Sequence, residues 1–94
     1  MLNKEYIQTL HPVKGKINKK IMLYKYDIIK ETMLNILTNF EPTHTELMEE
    51  LYKRLKDNFD GGIQWYGETV KLDLEAREII ERVNKNPERY RLKK

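Results

Sequence analysis

Two apolar stripes at helical spacing, one on each side of Glu41-Pro42-Thr43, limit the possible folds of this chain more than any other feature. The first stripe recurs every three or four positions, as expected for one face of an α-helix over residues 24–39. It consists of Ile29, Met33, Ile36, Leu37 and Phe40. Because proline disfavours a helical conformation in the residue before it, this helix is predicted to end ahead of Pro42.

The second stripe begins directly after a helix-start signal. Thr43 and Glu46 have the spacing of a capping box, in which each side chain accepts a hydrogen bond from the backbone N–H of the other residue. Pro42 and Leu47 occupy the positions of a hydrophobic staple around it. A second helix is therefore predicted from about His44 to Asn58. Its apolar stripe consists of Leu47, Met48, Leu51, Tyr52, Leu55 and Phe59.

A third helix is predicted from Ile63 to about Arg77, because apolar residues recur there every four positions. These residues are Tyr66, Val70 and Leu74. Gly67 weakens the helix, since glycine in a helix interior costs roughly 1 kcal/mol relative to alanine. Either the helix starts late, near Glu68, or another backbone passes close to Gly67.

Strand patterns bracket the three helices. At the N-terminus, strands over 6–10 and 16–23 flank the turn-forming sequence His11-Pro12-Val13-Lys14-Gly15. At the C-terminus, strands over 79–83 and 88–92 flank Asn84-Lys85-Asn86-Pro87. This order predicts an α+β winged helix, a helix-turn-helix variant whose last hairpin is the wing. We expect one domain, made of a basic N-terminal hairpin (1–23), three helices (24–78), and a wing with a basic tail (79–94).

The composition narrows the chemistry. The chain has no cysteine and no serine, so disulfides, thiolate metal ligands and nucleophilic catalysis by either residue are excluded within it. His11 and His44 stand alone, without metal-ligand spacing. We expect no enzyme activity, no cofactor and no metal. No apolar run approaches about eighteen residues and no apolar signal region follows Met1, so we expect a cytoplasmic protein without a membrane partner.

The segment from Trp65 to Val83, WYGETVKLDLEAREIIERV, followed by PERYRL, is the most distinctive part of the chain. Together with most of the chain, it resembles a family of small, uncharacterised bacterial proteins of about 100 residues that share W-Y-x-x-T-V-K-L-D-L-E-A-R. The resemblance implies a winged-helix-like fold and no particular activity. One departure is Glu78, where the family favours glycine in the pattern A-R-G-L-I. Glycine suits a left-handed residue after a helix, so Glu78 either carries strain or lets the helix continue.

Charge is distributed unevenly, and this bears on partners rather than on fold. The net charge of +3 separates into +5 for residues 1–30, −7 for residues 31–81 and +5 for residues 82–94. Phosphate contacts that do not depend on base sequence are therefore predicted for the basic ends. The candidate residues are Arg82, Lys85, Arg89, Arg91, Lys14, Lys16, Lys19 and Lys20.

The third helix would be the groove reader of a winged helix, with Gln64 and Lys71 as its candidate DNA contacts. Its exposed polar residues are predicted to be Gln64, Glu68, Lys71, Asp73, Glu75 and Arg77. Acidic side chains on that face oppose insertion among DNA phosphates. Any contact with DNA or RNA is therefore expected to rest on the wing and the N-terminal hairpin.

Two hypotheses of function remain open. The first is a winged-helix protein, like a transcriptional regulator, that contacts nucleic acid non-specifically through its basic hairpins, which then form one continuous positive surface. The second is a protein-interaction or dimerisation module without nucleic-acid binding, in which carboxylates separate or neutralise the basic residues. The basic ends can also pair with the acidic helices, within one chain or between two.

Aromatic residues do not decide between these hypotheses. Tyr52, Tyr66 and Tyr90 are predicted to pack in the core. Trp65 is predicted to be buried or partly buried, with base stacking or a dimer contact as alternatives.

Overall fold

The computed structural model describes residues 5–94, which contain three helices between two small antiparallel hairpins. The elements are β1 (Tyr6–Gln8), β2 (Lys20–Met22), α1 (Leu23–Asn39), α2 (His44–Leu55), α3 (Ile63–Ala76), β3 (Ile80–Val83) and β4 (Arg89–Leu92). β1 pairs with β2, and β3 pairs with β4. This α+β, winged-helix-like arrangement confirms the predicted fold class. Within the same residues, no helix combines the length and the apolar character needed to cross a membrane.

The junction between α1 and α2 forms as its sequence predicts. The Glu46 N–H donates to Thr43 Oγ1 at 3.2 Å, and the Thr43 N–H donates to Glu46 Oε1 at 2.9 Å. Pro42 and Leu47 are both buried. The Pro42 carbonyl also accepts a hydrogen bond from the Tyr90 N–H at 2.9 Å. The connection between the helices therefore holds the wing, β3–β4, against the helical core.

The core lies where the apolar faces of α1, α2 and α3 meet. Its least exposed side chains are Ile29, Met33, Ile36, Leu47, Leu51, Val70, Leu74 and Ile80. Tyr90 joins this core at 3% exposure, as predicted, and Tyr66 is half-buried beside it. Tyr52, in contrast, is 57% exposed, and the prediction for it is wrong. One residue beyond Leu51, it is rotated by about 100° away from the core face of α2.

Gly67 lies in the interior of α3, which starts at Ile63 rather than late. A Cβ atom on Gly67 would lie 2.9 Å from Met48 Sδ and 3.0 Å from Leu51 Cδ1. Side chains of α2, rather than another backbone, therefore occupy the space that a larger residue would need. The glycine allows α2 and α3 to approach closely, which compensates for its low helix propensity.

Predicted and observed boundaries differ mainly at the hairpins and at the end of α2. β1 and β2 have 3 residues each, because residues 9–19 form a loop instead of longer strands. α2 ends at Leu55, whose carbonyl accepts from the N–H groups of Asn58 and Phe59 as the chain turns.

α3 ends in a tight turn at Glu78. The Glu78 N–H donates to the Glu75 carbonyl and the Ile79 N–H donates to the Leu74 carbonyl, which is the bonding pattern of a Schellman motif. Glu78 has φ 60°, in the left-handed region. Of the two sequence-based alternatives, the structure therefore shows the strained residue rather than a longer helix.

Candidate interaction surface

One flank of α3 is tied to the N-terminal hairpin through Asp73. This carboxylate is 0% exposed and accepts from the Leu10 N–H at 2.8 Å, from the Tyr26 hydroxyl and from Arg77 Nε at 2.8 Å. Burial and the hydrogen bond to Asp73 raise the pKa of the Tyr26 phenol. The hydrogen bond to Asp73 also raises the pKa of the Arg77 guanidinium. The neutral phenol and the charged guanidinium are thus the forms that this site favours.

A second contact aligns the N-terminal hairpin with the same flank. Asn18 Nδ2 donates to the Thr69 carbonyl at 3.0 Å and to the Leu10 carbonyl at 2.9 Å. One amide therefore closes the 9–19 loop and binds it to α3.

The opposite flank of α3 is tied to the wing through Lys71. Lys71 is 4% exposed, and its Nζ lies 3.0 Å from the Tyr90 hydroxyl and 3.6 Å from Glu75 Oε1. Arg82 continues the network, donating to Glu75 at 3.1 Å and lying 3.3 Å from Glu88. Burial lowers the pKa of Arg82, but its hydrogen bond to Glu75 reverses that effect, and the pKa is raised.

These contacts correct the predicted exposure of α3. Lys71 and Asp73 are buried and the Glu75 side chain is 9% exposed, although the sequence predicts all three on an open face. Residues two apart on a helix project to opposite sides. Asp73 therefore faces the N-terminal hairpin while Lys71 faces the wing. The polar residues of the distinctive W-Y-x-x-T-V-K-L-D-L-E-A-R stretch hold the domain together.

The arginines of the wing are paired with carboxylates of the same chain. Arg89 donates to Glu46 at 3.3 Å and to the Glu41 carbonyl at 2.9 Å, and Arg91 donates to Glu81 at 2.6 Å. Lys93 donates to Glu78 at 2.7 Å, which raises the pKa of Lys93 and lowers that of Glu78. Of the wing candidates, Lys85 is exposed in the turn between β3 and β4.

The remaining candidates lie elsewhere. Lys14, Lys16, Lys19 and Lys20 are exposed on the N-terminal hairpin, where Lys20 Nζ is 5.9 Å from the centre of the Tyr6 ring. Gln64 is exposed at the start of α3, in a depression of about 590 Å³ that Tyr52 of α2 also lines. The ten candidates are thus divided among the wing, the N-terminal hairpin, the buried side of α3 and the start of α3.

Two neighbouring depressions that the sequence did not predict lie where the outward face of α3 meets the 9–19 loop. One depression, of about 170 Å³, is lined by Trp65, Leu72 and Lys19. A second, of about 380 Å³, is lined by Leu10, Ile17 and Ala76. Asn18 lines both. We call this feature the α3 groove.

Large apolar side chains of the α3 groove are in contact with water. Ile17 is 90% exposed, Trp65 47% and Leu10 42%. The Trp65 ring packs against the Tyr66 ring in an edge-to-face arrangement, with 4.9 Å between the ring centres. Ile17 lies outside β2, although the sequence places it in a strand over 16–23, so strand pairing does not cover it.

His44, in the first turn of α2, lines the same depression as Tyr52 and Gln64. Burial, followed by the positive charge of Lys71, lowers the pKa of its imidazole. The histidine is therefore neutral at physiological pH. Within residues 5–94, no group of three or more metal-ligating side chains is close enough to hold an ion.

Comparison with known proteins assigns the family. No curated protein and no solved structure shows significant similarity to the chain. One family model, described as a family of unknown function, matches residues 6–90, from the start of β1 into β4. The chain therefore belongs to DUF6958, a family of unknown function.

Proposed function

We propose that this protein is a non-catalytic domain that binds another protein, and that α3 does not enter a DNA groove. The observation that carries the proposal is the contrast between the wing and the α3 groove. Arg82, Arg89 and Arg91 each lie within 3.3 Å of a carboxylate oxygen of the same chain. The apolar side chains of the α3 groove have no such cover.

The pairing of the arginines argues against phosphate binding by the wing. An arginine that contacts DNA gains affinity by replacing the counterions of a phosphate. Carboxylates beside the guanidinium groups cancel much of the positive charge that attracts a phosphate, and they repel the phosphate themselves. The wing consequently offers little net attraction to nucleic acid.

The buried polar groups argue against catalysis. Among the described residues, every buried side-chain nitrogen or oxygen has a hydrogen-bond partner within the domain. A catalytic group must instead face a cavity where a substrate can reach it. Lys71 and Asp73 are the most deeply buried charged residues. Lys71 connects α3 to the wing, and Asp73 connects α3 to the N-terminal hairpin.

A second candidate function is non-specific contact with nucleic acid through the N-terminal hairpin. The observation in its favour is the exposure of Lys14, Lys16, Lys19 and Lys20. Such contact is sequence-independent and weakens steeply with salt.

The test is a titration of random-sequence duplex DNA at about 50–200 mM salt, with three forms of the full chain. These are the wild type, Arg89→Ala/Arg91→Ala in the wing, and Lys14→Ala/Lys16→Ala in the N-terminal hairpin. We expect the wing variant to bind DNA no more weakly than the wild type. Loss of affinity with a shallower salt slope in the wing variant would overturn the proposal. The same loss in the lysine variant alone would favour the second candidate.

A further inference from the structure

We propose that the α3 groove binds a short acidic segment of a partner protein through apolar anchor residues. This inference rests on the proposed protein-interaction function and specifies the chemistry of the partner. It draws on three properties of the groove: its apolar lining, its charge and its rigid walls.

The lining provides the anchor sites. Trp65, Leu72 and Ala76 follow one another along the outward face of α3. Trp65 and Leu72 line the first depression, and Leu10 and Ile17 line the second together with Ala76. From Trp65 to Ala76 the helix rises about 16 Å. This length suits about eleven residues of a helix or about five residues of an extended chain. Tryptophan is among the residues enriched at binding hot spots, which makes Trp65 the leading anchor site of the lining.

The charge around the lining selects an acidic partner. Lys16 and Lys19 line the groove, and Lys14 and Lys20 are exposed on the same hairpin. Glu68 lines the α3 side. A segment with Asp or Glu around its apolar residues complements the lysines and is steered toward them. A second copy that docks through this same face would bring the same lysines, so charge disfavours a symmetric contact between two grooves.

The walls of the groove are already fixed. The hydrogen bonds from Leu10 to Asp73 and from Asn18 to Thr69 hold the 9–19 loop to α3. Binding therefore need not order the loop, and less free energy is lost on association. The partner segment alone has to become ordered.

The experiment is a selection of random 16-residue peptides displayed on phage, with the full chain as bait, followed by affinity measurement on the synthesised consensus peptide. We expect a consensus in which Asp or Glu flank two or more apolar residues. The groove variant is Ile17→Glu, which changes a side chain that is 90% exposed and leaves the core intact. The matched control is Tyr52→Glu, at a side chain 57% exposed on α2, outside the groove.

Peptide affinity is expected to fall at least about tenfold in Ile17→Glu and to change less than about twofold in Tyr52→Glu. Lys16→Glu/Lys19→Glu is expected to weaken binding about fivefold or more at low salt, and less at high salt. The inference would be overturned if the selection gave no peptide whose binding depends on Ile17, or if the consensus peptide lacked acidic residues. Peptides that depend on Tyr52 would also overturn it, while leaving the protein-interaction function in place.

Sedimentation of the free chain tests whether a second copy of the chain occupies the α3 groove instead. Self-association in the wild type that is lost in Ile17→Glu would place a second copy in the groove and contradict the acidic segment. If the wild type and Ile17→Glu are both monomers, the result agrees with the inference. DNA binding through the wing is measured separately. It would contradict the proposed protein-binding function, but it would not bear on whether the α3 groove prefers an acidic segment.

Discussion

The two hairpins are both basic in sequence, yet the fold treats their charges in opposite ways. On the wing, Arg89 and Arg91 are bound to glutamates of α2 and β3. On the N-terminal hairpin, lysines and apolar side chains such as Ile17 are left in water. The lesson is that a basic segment predicts a phosphate-binding surface only after its carboxylate neighbours are known.

The anchoring of the hairpins to α3 differs as well. The anchor of the N-terminal hairpin is centred on one fully buried carboxylate, Asp73, which accepts from Leu10, Tyr26 and Arg77, with the Asn18–Thr69 hydrogen bond beside it. The wing depends on a network that runs from buried Lys71 outward to Arg82, which is 40% exposed. A concentrated anchor should be more sensitive to one substitution than a distributed one, and substitutions at Asp73 and Lys71 test that difference.

Asp73→Ala is expected to have the largest effect, a loss of about 3–5 kcal/mol in the free energy of unfolding. The substitution leaves the Leu10 N–H and the Tyr26 hydroxyl without their acceptor. Urea denaturation measures the loss, with Asp57→Ala, an exposed residue, as a control expected to stay within about 0.5 kcal/mol. A loss below about 1 kcal/mol for Asp73→Ala would show that the N-terminal hairpin does not depend on this anchor.

Lys71→Met is expected to cost less, about 1–3 kcal/mol, because Arg82 still neutralises Glu75 after the ammonium is removed. The methionine retains the apolar stem beside Tyr90. Lys53→Met provides the matched control, since the Lys53 side chain is 74% exposed and lies 3.9 Å from Glu50. If Lys71→Met proved as damaging as Asp73→Ala, the contrast between concentrated and distributed anchors would be wrong.

Glu78→Gly is expected to raise the free energy of unfolding by about 0.5–1 kcal/mol, because glycine adopts the left-handed conformation without a Cβ penalty. The change removes the exposed ion pair with Lys93, which contributes little. Glu78→Ala loses the same ion pair but retains the strain, so it should be less stable than the wild type. Thermal denaturation of both variants tests this, and a glycine variant no more stable than the alanine variant would exclude strain relief at the start of the wing.

His44 should give the smallest effect, seen in the pH dependence of stability. Its pKa in the folded state lies below the ordinary value of 6.5, so the unfolded chain binds the proton more readily. Stability from this residue is present above pH 6.5 and is lost as pH falls through the folded pKa. Urea midpoints between pH 8 and pH 5 should therefore decline less in His44→Gln, and an unchanged decline would show that the fold does not lower the pKa of His44.

Periodicity and turn chemistry predicted the elements because these signals are local. The stripes of α1 and α2, the Thr43–Glu46 capping box and both hairpins lie within a few residues of where they were expected. The strained Glu78 was one of two alternatives that the resemblance raised. Such features depend on neighbours along the chain, which the sequence displays directly.

The surroundings of α3 could not be predicted in the same way. A helix whose flanks bind polar partners has the same periodicity as a helix with a polar face in water. Lys71, Asp73 and Glu75 therefore seemed exposed, although residues up to 63 positions away along the chain cover them. The α3 groove depends on the same long-range packing, because the 9–19 loop forms its second wall.

The hydrogen bond between Leu10 and Asp73 also bears on how the chain matures during its synthesis. Its partners are 63 residues apart, so the N-terminal segment leaves the ribosome long before its anchor is made. At about 5–20 residues per second, the delay is roughly 3–13 s. Throughout that interval Leu10 and Ile17 have no α3 to lie beside. The 9–19 loop therefore gains its contacts with α3 late, and a nascent chain that stops short of Asp73 should be cut readily by protease within residues 9–19.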